Sequence, residues 1–137
     1  MNATTEAQPV LTVQDLVAEA IPRAGSSRAP VRIVDGVSFA VRAGRTLGLV
    51  GESGSGKSVT CLSVLGLPPA GVRVTAGRIL LSGDDLRDKN AATLRALRGR
   101  EIGMILQDPM SSLNPLLTIG RQITEMFRYR AGIKSRA

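Results

Sequence analysis

Eight consecutive residues, Gly51-Glu52-Ser53-Gly54-Ser55-Gly56-Lys57-Ser58, match the pattern G-x-x-x-x-G-K-[ST]. The glycines of such a loop let the main chain wrap tightly enough for its N–H groups to converge on an anion. Lys57 then reaches the β and γ phosphates of a nucleotide, and the Ser58 hydroxyl ligates Mg²⁺. A helix opening at Lys57 turns its positive end toward the same anion. The chemistry expected is phosphate binding. The expected ligand is Mg-ATP, and the expected contact set is Gly51 through Ser58 together with Val59.

Other chemistries fare worse. Gly54-x-Gly56 lacks a third glycine three residues on, so the dinucleotide fingerprint fails. Asp88-Lys89-Asn90 has the letters of a guanine-selecting motif in the wrong order. There is no histidine, which excludes histidine-built zinc sites, Ser-His-Asp triads and Cys-His nucleophiles. Catalysis would rest on carboxylates, amides, lysine and an oxygen-bound metal. Cys61 is the one cysteine. No internal disulfide forms, a reducing compartment fits, and the residue is expected as a small core side chain.

The elements that position these residues follow from pattern. With 137 residues, 43% hydrophobic and 21% charged, the chain suits one globular domain. Aromatics are only 2%, namely Phe39, Phe127 and Tyr129. The core must be aliphatic, as in buried parallel sheets. Val10 to Val13 with Leu16 and Val17 reads as extended, and Ile21 to Pro30 as a loop. Val31, Ile33, Val37, Phe39 and Val41 give a period-2 strand with a turn near Asp35-Gly36. Thr46 to Val50 predicts a buried strand leading into the loop, and Lys57 to Leu67 a helix stopped by Gly66 and Pro68-Pro69. Gly77 to Leu81 predicts a strand. Asn90 to Arg98 predicts an amphipathic helix on Ala91, Leu94 and Leu97. Ile102 to Leu106 predicts a strand, 107–118 a loop, and Ile119 to Ala131 a helix. Strands followed by helices mean an α/β fold.

Net charge is +7, from 18 basic and 11 acidic residues. Arg121, Arg128, Arg130, Lys134 and Arg136 stand against Glu125 alone near the end. That skew suits a solvated face, an anionic partner or membrane headgroups. No nucleic-acid reader or stacking platform accompanies it, so nucleic acid is not an expected partner. No apolar run approaches about 18 residues, and Met1 to Gln8 has no leader pattern. A cytosolic protein, or one docked to a membrane through others, is expected.

Val50 to Thr60 (VGESGSGKSVT), Arg98 to Ile102 (RGREI) and Gln107 to Pro115 (QDPMSSLNP) resemble the ATP-binding subunits of ABC importers, in the oligopeptide, dipeptide and nickel branch. Val34 to Phe39 (VDGVSF) and Gly83-Asp84-Asp85-Leu86 are similar to that branch too. The resemblance runs from Val10 to Ile123. It implies an α/β P-loop NTPase nucleotide-binding domain of ABC type, incomplete in this chain. An N-terminal β region would cover 10–45, the P-loop core through the Q-loop 46–118, and the start of a helical subdomain 119–137. By the same resemblance Gln107 is the Q-loop glutamine, ligating Mg²⁺ or the attacking water, and Asp108 to Pro115 meets the permease. Also implied are ATP and Mg²⁺, transmembrane permease subunits, a second ATPase subunit, and a peripheral place on the cytoplasmic face of the inner membrane. The transport so energised would be import of peptides or related small solutes, nickel included.

Two departures qualify these expectations. Where the family stacks an aromatic ring on adenine, this sequence has Ala20 or Ile21, so weak base binding is expected. The family's LSGGQ signature, Walker B carboxylate and switch histidine are not found, and Leu81-Ser82-Gly83-Asp84 shares only the signature's first letters. The expectation is the front portion of an ATPase subunit, without sustained hydrolysis by itself and with an uncovered aliphatic face. The alternative is a non-catalytic module that regulates or competes with a full-length ATPase subunit.

Overall fold

The apolar residues of the first segment draw it into a strand, β1 (Pro9–Ala20). It lies inside an antiparallel sheet of order β2-β1-β3-β4, with β2 (Val31–Arg42), β3 (Val72–Leu81) and the two-residue β4 (Asp84–Asp85). The computed structural model describes residues 8–105 and 113–131. Two compact units divide the chain, Met1–Ile102 and Gly103–Ala137.

Bulges set which side chains face the core. Between Val13 and Leu16, β1 carries one more residue than either neighbour, and Asp15 there adopts φ +46°. The extra residue restores the facing, so Val13, Leu16 and Ala18 are all buried although their numbers change parity. Ser38 Oγ satisfies the bulge, accepting from the Asp15 N–H (2.8 Å) and donating to its carboxylate (3.1 Å). A second bulge lies at Asp35-Gly36, with Gly36 at φ +65°. The turn expected there is a kink within one continuous strand. It makes Val34 the most buried residue of β2 and leaves Val31 64% exposed.

Helix α1 (Lys57–Val64) packs on this sheet, and Val64 joins Val13, Leu16, Ala18, Val34, Ile79 and Leu86 in the core. Gly66, in the left-handed region, ends the helix, with its N–H on the Ser63 carbonyl and that of Leu67 on Leu62. A 3-10 turn (Leu86–Asp88) leads to α2 (Ala91–Leu97), capped by Asn90, whose side chain accepts from the Thr93 N–H at 2.9 Å. Leu94 and Leu97 pack against the core as expected, but Ala91 is exposed. Asp85 is the polar hub of this end. It accepts from Arg78 Nε (3.1 Å) and from the N–H groups of Arg87 (3.1 Å) and Ile79 (3.4 Å). Burial pushes its carboxyl up, but these three donors outweigh burial and hold it below the usual value.

In the second unit, α3 (Ile119–Ala131) forms over the residues expected to be helical. Gln122 clips the preceding loop to it, exchanging bonds with the Asn114 main chain (2.9 and 3.0 Å) and donating to the Leu117 carbonyl (2.9 Å).

Three expectations are corrected. Thr46 to Val50 forms no strand and is exposed, Val50 at 91%. From Ile102, only an isolated parallel bridge to Arg98 forms; 103–105 have no regular structure, and Ile105 is 94% exposed. Leu106 lies outside the described residues. Parallel strands need paired neighbours and both faces covered, and among the described residues no strand lies beside Thr46 to Val50. The sheet that forms is antiparallel. Finally, Cys61 is exposed rather than core, because α1 buries Thr60, Ser63 and Val64 and turns Cys61 outward.

Candidate phosphate-binding site

The loop starts at Gly51 and ends in α1. Ser53-Gly54 is a turn, closed by the Ser55 N–H donating to the Glu52 carbonyl at 3.2 Å. Gly54 and Gly56 stand at φ +83° and +89°, where any side chain is strained. At Gly56 space is as strict as torsion, whereas Gly54 has open space around it. A Cβ on Gly56 would lie 2.7 Å from the Ile33 carbonyl oxygen, and one on Gly51 would lie 2.6 Å from Ser55 Oγ. Gly56 is thus required by the close approach of the loop to β2, whereas a Cβ on Gly51 would displace only the tip of the Ser55 side chain.

Gly56 makes no side-chain cap, and the first turn of α1 holds no acidic residue. The leading N–H groups and positive end of the helix therefore face no anion of the helix's own. Lys57 is held against the loop. Its Nζ donates to the carbonyls of Gly51 (2.8 Å) and Glu52 (2.6 Å) and to Ser55 Oγ (3.2 Å). These match an ammonium's three donors. Ser58 is exposed on the first turn, while half-buried Val59 packs against the core. Thr60 anchors the turn below, its N–H and hydroxyl both donating to the Gly56 carbonyl (2.8 and 2.9 Å).

The far end of α1 is fixed by a residue whose role spacing does not signal. Arg98 donates from Nε to the Leu65 carbonyl (2.7 Å) and from its terminal nitrogen to Gly66 (3.0 Å), placing a cation on the helix's negative end. Only its membership of the RGREI segment sets it apart in the sequence.

Gln107 lies outside the described residues, as do its neighbours through Ser112. Among the described residues no group of three or more His, Cys, Asp or Glu could hold a metal ion. Ala20 ends β1 half-buried, and the Ile21 N–H donates to the Gly71 carbonyl at 2.7 Å. No described helix is long and apolar enough to cross a membrane.

The family model described as ABC transporter matches residues 34–136. The oligopeptide transport ATP-binding protein AppD of Bacillus subtilis is 47% identical over 108 residues, covering 78% of this chain and 33% of that protein. The dipeptide transport ATP-binding protein DppD of Escherichia coli is 45% identical over 108 residues, 79% of this chain and 33% of that protein. The Bacillus subtilis protein of the same name is 46% identical over 119 residues, 86% and 34% respectively. The chain spans about a third of the length of these relatives.

Proposed function

Since this chain belongs to the ABC transporter family, we propose that it binds the phosphates of Mg-ATP at Gly51 to Val59, as a portion of an ATPase subunit powering import of peptides or related small solutes. One observation carries the reading. A lysine donates to three oxygens of a loop whose Gly54 and Gly56 hold left-handed torsions and whose Gly56 has no room for a Cβ, at the uncapped start of a helix. On binding, Lys57 exchanges loop oxygens for β and γ phosphate oxygens, and the N–H groups of the loop and first turn surround the rest. Mg²⁺ prefers phosphate oxygens and few protein ligands, which suits an exposed Ser58 hydroxyl better than a carboxylate cage. Gln107 is proposed as its second side-chain ligand. Bound Mg²⁺ would neutralise some of the phosphate charge.

In the same reading, 10–45 is the N-terminal β region, 46–118 the P-loop core and 119–137 the start of a helical subdomain. The partners are membrane permease subunits and a second ATPase subunit, met at the cytoplasmic face of the membrane. Peptide cargo is favoured by the functions for which the relatives are named.

Titration calorimetry with Mg-ATP tests the site. Lys57→Ala should weaken binding tenfold or more, since a charge-assisted phosphate contact is worth about 1.5–3 kcal/mol. Equal affinity for the two proteins, with thermal unfolding unchanged, would sink the assignment. With Ala20 in place of a ring, ATP and GTP should compete with similar constants, and a strong ATP preference would show adenine gripped elsewhere.

A further inference from the structure

Of the three oxygens that take the Lys57 ammonium, two are main-chain carbonyls, those of Gly51 and Glu52, and the third is Ser55 Oγ at 3.2 Å. An ammonium has three donors and no acceptor, so the loop engages all of them. The same nitrogen must let go of these oxygens to donate to phosphate instead. The two carbonyls are there whatever residues stand at 51 and 52. The hydroxyl is there only because residue 55 is serine, at a position where the phosphate-loop pattern accepts any residue.

Two contacts fix that hydroxyl in place. The Ser55 N–H closes the turn on the Glu52 carbonyl at 3.2 Å, the same carbonyl that Lys57 uses. The side chain also folds over the start of the loop, where a Cβ on Gly51 would come within 2.6 Å of its Oγ.

We propose that Ser55 is a positioning residue whose hydroxyl restrains Lys57 and thereby weakens phosphate binding. The inference rests on reading this loop as the Mg-ATP site. Each time the ammonium turns to phosphate, the bond to Ser55 is given up, and without the hydroxyl there is nothing to give up. A hydroxyl that served the phosphates directly would act in the opposite sense, because its loss would weaken binding.

Titration calorimetry of Ser55→Ala with Mg-ATP is the test. The change leaves the main chain free to keep its course, since Ser55 does not hold a left-handed torsion. Affinity should rise about three- to tenfold, the worth of one hydrogen bond. Magnesium tripolyphosphate, which has no base, should show the same rise. In the Lys57→Ala background the substitution should alter neither affinity, because the lysine through which Ser55 acts is gone. Unchanged or weaker binding by Ser55→Ala, or an equal rise in the Lys57→Ala background, would overturn the proposal. The two readings fail separately. Lys57→Ala without effect on Mg-ATP removes the phosphate site itself, whereas a weakened Lys57→Ala beside an unaltered Ser55→Ala removes only the restraint.

Discussion

Asp85 shows how one side chain can matter without standing in a motif. Its carboxylate gathers Arg78 and two main-chain N–H groups while only 11% exposed. Asp85→Asn keeps the shape but loses the charge, and should cost about 1–3 kcal/mol in urea unfolding. The pH dependence has a definite sign. The folded carboxyl titrates below its unfolded value of about 3.9. The associated stability is therefore complete above that pH and drains away as acid carries the protein through the lower folded pKa. Asp85→Asn should flatten that acid limb, and an unchanged limb would assign it to other carboxylates. Lys57 was legible in the sequence because all its partners lie within six positions. Asp85 shares that locality incompletely, and Arg98 acts on carbonyls 32 and 33 positions away, beyond the reach of spacing.

Among the elements, the sheet depends on a close approach between β1 and β3. Gly77 has φ +90°, and a Cβ there would lie 2.5 Å from the carbonyl oxygens of both Gln14 and Asp15. Gly25 has nearly the same torsion, +86°, with open space around it. Gly25→Ala should cost only the left-handed penalty of about 1–2 kcal/mol. Gly77→Ala must also push β3 away from β1, so its loss in urea unfolding should exceed that of Gly25→Ala. Equal losses would mean that torsion alone matters. Sequence pattern disclosed β1, β2 and α2, because each has an apolar face to bury locally. It missed the start of β3, since Thr75, Ala76 and Gly77 interrupt the alternation after Val74. It misplaced Thr46 to Val50 and Ile102 to Leu106 for the converse reason. Their apolar character is that of parallel strands, and apolar character forms no strand without a neighbour to pair.

For the molecule as a whole, two opposing surface properties decide behaviour in solution. Leu47 (46%), Leu49 (41%) and Val50 (91%) are exposed in the first unit, and Leu116 (90%), Ile119 (63%) and Met126 (69%) in the second. Such surface favours association, while a net charge of +7 opposes it. Salt should tip the balance, because the Debye length falls from about 10 Å at 0.1 M to about 3 Å at 1 M. Sedimentation should show association rising with salt, and Leu47→Ser with Val50→Ser should reduce it. A monomer at every salt concentration would mean that these side chains are sheltered in solution. The outward-facing Cys61 has a practical corollary. As the sole thiol in the sequence, one turn along α1 from Ser58, it accepts a maleimide dye at a unique address. The chain thus carries its own attachment point for a fluorescent reporter of events at the phosphate loop, with no engineered cysteine required.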